Sequence, residues 1–485
     1  EMESSIVVPD FDSLISHRME RYHYLLENSK FQFKQYQYDG VKWCIRNELR
    51  PLPLGNARGG FIADEMGLGK TMMMIGIIFV NFLKRTLIVV PPALIYQWYN
   101  EIYKASGHRA LLFYGDGKKS ITQEDINRAP IVLTTYNMLY PQDCLLKNLF
   151  WNRVIFDEAH HLRNCNTVRF RACKQIKGRA RWLVTGTPVQ NKKKDFYNLC
   201  CAAGMKPEFY MDPNNLRVIG QHFVLRRTKQ HVGIDLPAVN NRNCIVDWKN
   251  KKEMRLSEEI HSLLPNQTHV YKHGKLSEVF GTSGILTALL RARQSCIMPN
   301  LMRNNMELLH RLGLITYESL EALDYSSKLD AVIELMISRK NNGKGKIVFC
   351  HFQMEIDVIA KRLLEGGMSK VVTYDGRNSG GHNLENLANP ADALIIQIQT
   401  GCEGLNLQNH FSEIYFVSPH WNPCVEDQAI ARCHRIGQTK QVDVFKFEMR
   451  GFKNDDINEV DPITLEKYVN KVQDMKRDLS KQFFA

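Results

Sequence analysis

Short, continuous apolar runs recur along the chain from Gly59: Gly60 to Ala63, Thr86 to Val90, Ile131 to Thr134, Val154 to Phe156 and Trp182 to Thr185. Runs this short and β-branched, without polar alternation and separated by helical lengths, predict strands of a parallel sheet covered on both faces. The texture returns from Lys346, in Lys346 to Cys350, Val371 to Tyr374, Ala393 to Ile398, Glu413 to Val417 and Val442 to Phe447. Between about 192 and 325 the apolar spacing is helical and the surface basic, as in Lys192-Lys193-Lys194 and Arg226-Arg227-Thr228-Lys229. Residues 1–30 carry Tyr22, Tyr24, Leu25 and Leu26 behind a charged start, which suits a short bracing helix, and Thr464 to Lys481 is amphipathic. The expected plan is α/β, with an N-terminal brace over 1–30 and a first lobe over 31–240 whose helical protrusion begins near 192. A helical insertion and linker over 241–325, a second lobe over 326–452 and a C-terminal helix over 453–485 complete it. A chain of 485 residues is too long for one core, which agrees with this division.

Parallel sheets put ligands at the C-terminal ends of their strands. The run Ala63-Asp64-Glu65-Met66-Gly67-Leu68-Gly69-Lys70-Thr71 sits there, between an apolar strand and an apolar helix. Glycines at 67 and 69 let successive backbone N–H groups converge on a phosphate at the positive end of the next helix. Lys70 adds a mobile charge for the β- and γ-phosphates, and Thr71 offers a hydroxyl to Mg²⁺. The general pattern G-x-x-x-x-G-K-S/T has Gly where this chain has Asp64. A second strand ends in Asp157-Glu158-Ala159-His160. Asp157 is placed to hold Mg²⁺ and Glu158 to orient and deprotonate water, so the pair of motifs points to nucleotide hydrolysis. Upstream, Gln37 is flanked by Tyr36 and Tyr38, an amide with both donor and acceptor for adenine beside aromatic rings. Pro91-Pro92 with Trp98, Thr134-Thr135-Tyr136, and Thr185-Gly186-Thr187-Pro188-Val189-Gln190-Asn191 each follow a predicted strand.

Lys and Arg number 64 against 51 Asp and Glu, a formal charge of +13, which favours an anionic polymer as partner over an acidic small substrate. The 12 cysteines include no C-x-x-C and read as reduced thiols, neither a disulfide framework nor a zinc site. No signal peptide or apolar span of membrane length is expected; the longest apolar stretch, Met72 to Leu83, is broken by Asn81 and reads as a buried helix.

Asp64 to Thr71, Asp157 to His160, Leu183 to Asn191, and Trp421-Asn422-Pro423 followed by Glu426, Gln428, Arg432 and His434-Arg435-Ile436-Gly437-Gln438 together resemble the SWI/SNF-like ATPases of helicase superfamily two, over residues 31 to about 450. In that family Asp at the loop's first place is usual. The resemblance implies two RecA-like lobes with parallel sheets and a helical insertion between them, ATP and Mg²⁺ as cofactors, and movement along double-stranded DNA without strand separation. Lys70, Thr71, Asp157 and Glu158 match first-lobe catalytic positions, with Thr71 and Asp157 at the metal, while Asp64, Glu65, Met66, Gly67, Leu68, Gly69 and Gln37 match ATP-binding positions. Arg432 and Arg435 match arginine fingers that act on the γ-phosphate, and Gln428 the glutamine that accompanies them. Trp98, Thr135, Thr187, Arg226, Arg227, Lys229, Asn406 and Trp421 fall at positions implied to contact DNA.

Arg163-Asn164 with Thr167, Arg181-Trp182-Leu183 and Arg432-Cys433-His434-Arg435 look like the post-replication-repair subgroup, which carries a RING finger between the lobes. Pro299 to Ser327 has no cysteine, so such a module has nothing to bind zinc and a bare motor, similar to stand-alone motors of large DNA viruses, is expected. Gln397 and Cys402 stand where the family has small or hydroxyl residues, and Gly376 to Pro390 lacks the usual arginine-bearing helix. The expected partners are double-stranded DNA, a nucleosome or other DNA-bound protein as cargo, and a recruiting protein, with no membrane. The expected location is the nucleus, or the cytoplasm or virion for a viral member. An RNA or strand-separating DNA helicase is the alternative enzyme, and an architectural DNA binder the alternative without catalysis.

Overall fold

The computed structural model describes residues 10–29, 31–50, 54–186, 193–264, 284–377, 391–399, 405–452 and 463–484. The chain divides into two compact units, Glu1–Asp235 with Leu479–Ala485, and Leu236–Asp478. The first unit is built on a seven-stranded sheet. Its strands are β1 Arg58–Ile62, β2 Thr86–Val90, β3 Leu111–Phe113, β4 Ile131–Thr135, β5 Phe150–Asp157, β6 Lys177–Val184 and β7 Val224–Leu225. They run in the order β3-β4-β2-β5-β6-β1-β7, every pairing parallel. The β2 and β4 side chains are buried throughout, as a sheet covered on both faces demands.

Two apolar layers flank this sheet. On one face lie Phe61, Leu87, Val89, Val132, Phe156 and Leu183 with the helical residues Phe196, Leu199, Ile219 and Phe223. The other face packs α1 Phe11–Asn28, α2 Gln35–Leu49, α3 Lys70–Val80 and α4 Ile95–Ser106 through residues such as Ile15, Met19, Val41, Met73, Ile77 and Trp98. The bracing helix therefore spans Phe11–Asn28 and buries Ile15, Met19, Tyr22 and Leu25, one side of a helix at spacings of three and four.

A buried carboxylate ties the second of these layers to the sheet. Glu48, near the end of α2, accepts from Arg153 Nε on β5 and Trp182 Nε1 on β6 through Oε1, at 2.6 and 2.9 Å. Its Oε2 accepts from Arg153 Nη2 at 2.6 Å and from Asn81 Nδ2, just past α3, at 2.7 Å.

In the second unit the strands are β8 Val239–Val246, β9 Gly345–Cys350, β10 Val371–Tyr374, β11 Ala393–Gln397, β12 Phe411–Phe416 and β13 Val442–Met449. They form a six-stranded sheet in the order β10-β11-β9-β12-β13-β8, again parallel throughout. β8 pairs with β13 from Val239↔Val442 to Val246↔Met449. The segment expected to end the first lobe and begin a linker is thus an edge strand of the second sheet. Its polar interior, Asn240-Asn241-Arg242-Asn243, hides it from an apolar-run search, because one flank faces solvent and backbone pairing holds it.

A helical body completes this unit. Helices Lys251–His261, Gly284–Ile297, Arg303–Arg311 and the final helix Leu465–Phe484, which belongs to this unit as far as Asp478, share a core of Leu256, Ile260, Ala288, Ala292, Met306, Leu309, Leu465 and Val469. The C-terminal helix is pinned by a fully buried ion pair, Lys328 to Glu466, whose other oxygen accepts Met449 N at 2.9 Å.

Replacing Arg153 by Met should strand the buried Glu48 charge and lower stability by about 3–5 kcal/mol, seen as a reduced urea midpoint. Adding Glu48→Leu should recover part of that loss, because the uncompensated charge goes while Asn81 and Trp182 lose their acceptor.

Candidate active site

After β1 the chain passes Ala63, Asp64 and Glu65, turns through Gly67 (φ 89°) and Gly69 (φ 77°), and enters α3 at Lys70. Gly69 is left-handed, and a Cβ there would lie 2.3 Å from Gln37 Nε2, so glycine is required twice over. Gln37 is buried and donates from Nε2 to Leu68 O at 3.2 Å, which braces the loop from α2. Lys70 Nζ donates to Asp64 O at 2.9 Å. The amides opening α3 face outward from its positive end, the arrangement that receives an anion.

β5 and β6 end level with β1, Asp157 pairing with Val184 and Val184 with Ile62. The loops after all three strands therefore emerge together. A Cβ on Gly186, after β6, would come within 3.1 Å of Met66 Cε and 3.7 Å of Lys70 Nζ, so this loop adjoins the phosphate loop. Asp157 is buried; its Oδ2 accepts from Trp98 Nε1 at 2.7 Å, its Oδ1 from Glu158 N at 2.9 Å, and its carbonyl from Tyr136 OH at 2.6 Å. Burial first, and the neighbouring Glu158 charge next, push the Asp157 carboxyl up to about 7, against the two hydrogen bonds. Glu158 holds a left-handed backbone, φ 47° and ψ 48°, which non-glycine residues adopt at a cost and which marks functional turns. Its Oε2 lies 3.2 Å from His160 Nδ1.

This donor set fits Mg²⁺ and a nucleotide. A buried carboxylate short of compensating charge and a helix-start hydroxyl at Thr71 are hard oxygen ligands, and a glycine turn with a lysine suits phosphates. Among the described residues there is no cluster of three or more His, Cys, Asp or Glu side chains for a protein-only metal cage, so phosphates and water would supply the remaining ligands.

In the second unit Asn422 caps the helix Pro423–Ala431, its Oδ1 accepting Cys424 N at 3.2 Å, with Pro423 at the first helical place. Trp-Asn-Pro is thus a helix start, and the helix delivers buried Gln428 and then Arg432 and Arg435. Gln438 Nε2 clamps the following turn on the carbonyls of Gln408, Phe411 and Cys433 at 3.0 to 3.1 Å. Arg435 Nη1 donates to Asn406 Oδ1.

The SNF2-related domain model matches residues 36–207, and the helicase conserved C-terminal domain model matches 327–437. Together they take in both sets of loops. The chain belongs to the SWI/SNF-like ATPases. It is 28% identical to an uncharacterised ATP-dependent helicase of Mycoplasma genitalium over 95% of this chain and 43% of the relative. Similarity at 28% identity also extends to the "Probable global transactivator" of Orgyia pseudotsugata multicapsid polyhedrosis virus, over 91% of this chain and 89% of the viral protein, and to human chromodomain-helicase-DNA-binding protein 1, over 90% of this chain and 26% of that protein. The chain thus spans less than half of the mycoplasmal and human relatives and most of the viral one. A solved Sulfolobus solfataricus SWI2/SNF2 ATPase core in complex with dsDNA aligns with 94% of this chain at 25% identity and a TM-score of 0.41.

The DNA positions that this SWI/SNF-like resemblance implies fare unevenly. Trp98 is 1% exposed and serves Asp157, and Thr135 is 0% exposed at the end of β4, so neither side chain reaches a surface ligand here. Arg227 and Lys229 pair with Asp64 and Glu65 of the phosphate loop, at 2.6 and 3.1 Å. Arg226 is exposed, while Asn406 meets Arg435. Trp421 is partly buried under the Arg293 guanidinium, 5.7 Å from the ring centroid. Thr187 and Cys402 lie outside the described residues, and Gln397 Nε2 donates to His351 O at 3.2 Å. Sequence reasoning missed the service of Trp98 and Tyr136 to Asp157; both are aromatic donors that follow strands of the same parallel sheet, Tyr136 directly after β4 and Trp98 in the helix after β2, and that placement is the signal that could have found them.

A carboxylate holds a cation in its ionised form, and burial opposes that form at Asp157. At limiting Mg²⁺ the ATPase rate should fall as pH drops through about 7, because the carboxyl takes up a proton. Trp98→Phe removes a donor that favours the carboxylate, so the fall should begin at higher pH; pH–rate profiles at fixed low Mg²⁺ check both.

Proposed function

We propose that this chain is a DNA-dependent ATPase that moves along double-stranded DNA and displaces or slides bound proteins without separating the strands. The observation that carries it is the meeting of the phosphate loop with Asp157-Glu158 at level strand ends, in a chain of the SWI/SNF-like family. Bound Mg²⁺ would neutralise charge on the phosphates. Lys70 and the α3 amides hold and orient the phosphate oxygens, Gln37 meets the adenine edge, and Glu158 takes a proton from the attacking water. Arg432 and Arg435 oppose the charge that develops on the transferred phosphoryl group. The helical body of the second unit and the Trp421-Asn422-Pro423 turn, both features of the family resemblance, support a duplex-tracking motor over a strand separator.

A charge of +13 supports grip on backbone phosphates with little base readout. Double-stranded DNA is the proposed track and a nucleosome or other DNA-bound protein the cargo, with a nuclear site of action, or a cytoplasmic or virion one for a viral member. Among the described residues no helix is long and apolar enough to cross a membrane.

Glu158→Gln should keep ATP binding and lose hydrolysis, and wild-type turnover by that variant would refute the assignment of the base. Arg435→Ala should cut duplex-stimulated turnover by about 10³-fold while leaving ATP affinity near wild type. Displacement of a third strand from a triplex, which requires translocation without unwinding, should vanish with it. Stimulation by RNA or single strands but not duplex would favour the helicase reading instead.

A further inference from the structure

The run Arg226-Arg227-Thr228-Lys229 has the composition of a polyanion contact, yet Arg227 is committed elsewhere. Asp64, with a fully buried side chain, gives both carboxylate oxygens to this one residue: Oδ1 accepts from Arg227 N at 2.9 Å and Nε at 3.1 Å, and Oδ2 from Nη2 at 2.6 Å. Arg227 Nη1 then donates to Tyr36 O at 2.5 Å, with the guanidinium 5.8 Å from the Tyr36 ring centroid. The surrounding backbone repeats the connection. Ala63 N donates to Leu225 O at 2.8 Å, Glu65 N to Arg227 O at 2.9 Å, and Lys229 N to Glu65 Oε2 at 2.8 Å.

One planar group therefore spans the two pieces that flank the nucleotide position. Tyr36 immediately precedes Gln37, and the Asp64 carbonyl receives Lys70 Nζ. We propose that Arg227 is a positioning residue that sets the spacing between the Gln37 helix and the phosphate loop, and through it ATP affinity and base preference, and that it is not a DNA contact. The inference rests on the reading that Gln37 and the loop bind ATP. Lysine could neutralise Asp64, but its point charge cannot hold both carboxylate oxygens and the Tyr36 carbonyl in one plane. Glycine at 64, the general phosphate-loop choice, would leave Arg227 without its carboxylate, which gives Asp64 a physical reason of its own.

The test compares wild type, Arg227→Ala, Arg227→Lys and Gly40→Ala in the full chain. A Cβ on Gly40 would fall 2.9 Å from Arg227 Nη2 and 2.4 Å from Met73 Sδ, displacing the guanidinium with every charge retained. The readouts are equilibrium binding of a fluorescent ADP analogue, kcat/KM for ATP against GTP, and the salt slope of duplex affinity. Arg227→Ala should weaken the ADP analogue about tenfold or more, the loss expected for a charged hydrogen-bond set, and narrow the ATP preference. Arg227→Lys should restore only part, and the salt slope should stay at the wild-type value in both. A slope smaller by about one unit with unchanged ADP affinity would make Arg227 a phosphate contact and overturn the inference. Unchanged ADP affinity and base preference with an unchanged slope would overturn it as well. Should Arg227→Ala not fold, Gly40→Ala decides: weakened ADP binding upholds the inference and wild-type binding refutes it. Wild-type protein that binds no ADP analogue would instead overturn the nucleotide reading beneath it.

Discussion

The Glu48 carboxylate cannot exist inside the first unit without partners, and the partners it takes come from β5, β6 and the end of α3. A buried charge left alone is costly, so each of these elements must stand where Glu48 can reach it. This fixes one end of α2. The other end is fixed by Arg227, which joins Tyr36 to Asp64. The helix that presents Gln37 is therefore held at one terminus by the Glu48 ion pair and at the other by the Arg227 hydrogen bond to the Tyr36 carbonyl, while its apolar side packs against α3 through Val41 and neighbouring residues. Apolar packing alone would allow the helix to slide; directional bonds at both ends remove that freedom.

Much of this was legible in the residue order because central parallel strands are bounded apolar runs with little ambiguity. Ile131 to Thr134, Thr86 to Val90 and Lys346 to Cys350 are strands as expected, each within a residue of the predicted limits. Two of the edge strands follow another rule. β3 is only Leu111–Phe113 and β8 is largely polar, so local pattern carries no signal strong enough to separate them from loops. The candidate site was legible as residue types, less so as contacts. Basic letters at 227 and 229 look alike whether they face solvent or close on carboxylates across more than 160 positions of sequence. Trp98 likewise reads as an aromatic past a strand, and only the adjacency of β2 and β5 turns its indole toward Asp157.

In the second unit a carboxylate again organises the site's approach. Glu426 accepts from His420 N at 2.8 Å, Gln473 Nε2 at 2.7 Å and Lys446 Nζ at 2.6 Å, joining the turn before Trp421, the C-terminal helix and β13. Lys476 Nζ adds a bond to Trp421 O at 2.8 Å. Burial keeps His351 uncharged by pushing its pKa well down, with the Arg293 charge adding to this, so the stacked His351 and His420 rings form a neutral layer beside that arginine. The Trp-Asn-Pro turn is consequently set by groups from three separate stretches of chain.

The pairing of β8 with β13 bears on how the protein is made. A strand finished at Val246 must wait for Val442–Met449, and Lys328 must wait for Glu466, before the second unit can bury its edge and its charge. Closing loops of that length is slow relative to local helix formation, and chain leaves the ribosome at about 5–20 residues per second. For many seconds the nascent second unit therefore presents an unpaired β-edge and an unneutralised lysine, the period in which a chaperone or an early-docking partner would matter most to its yield.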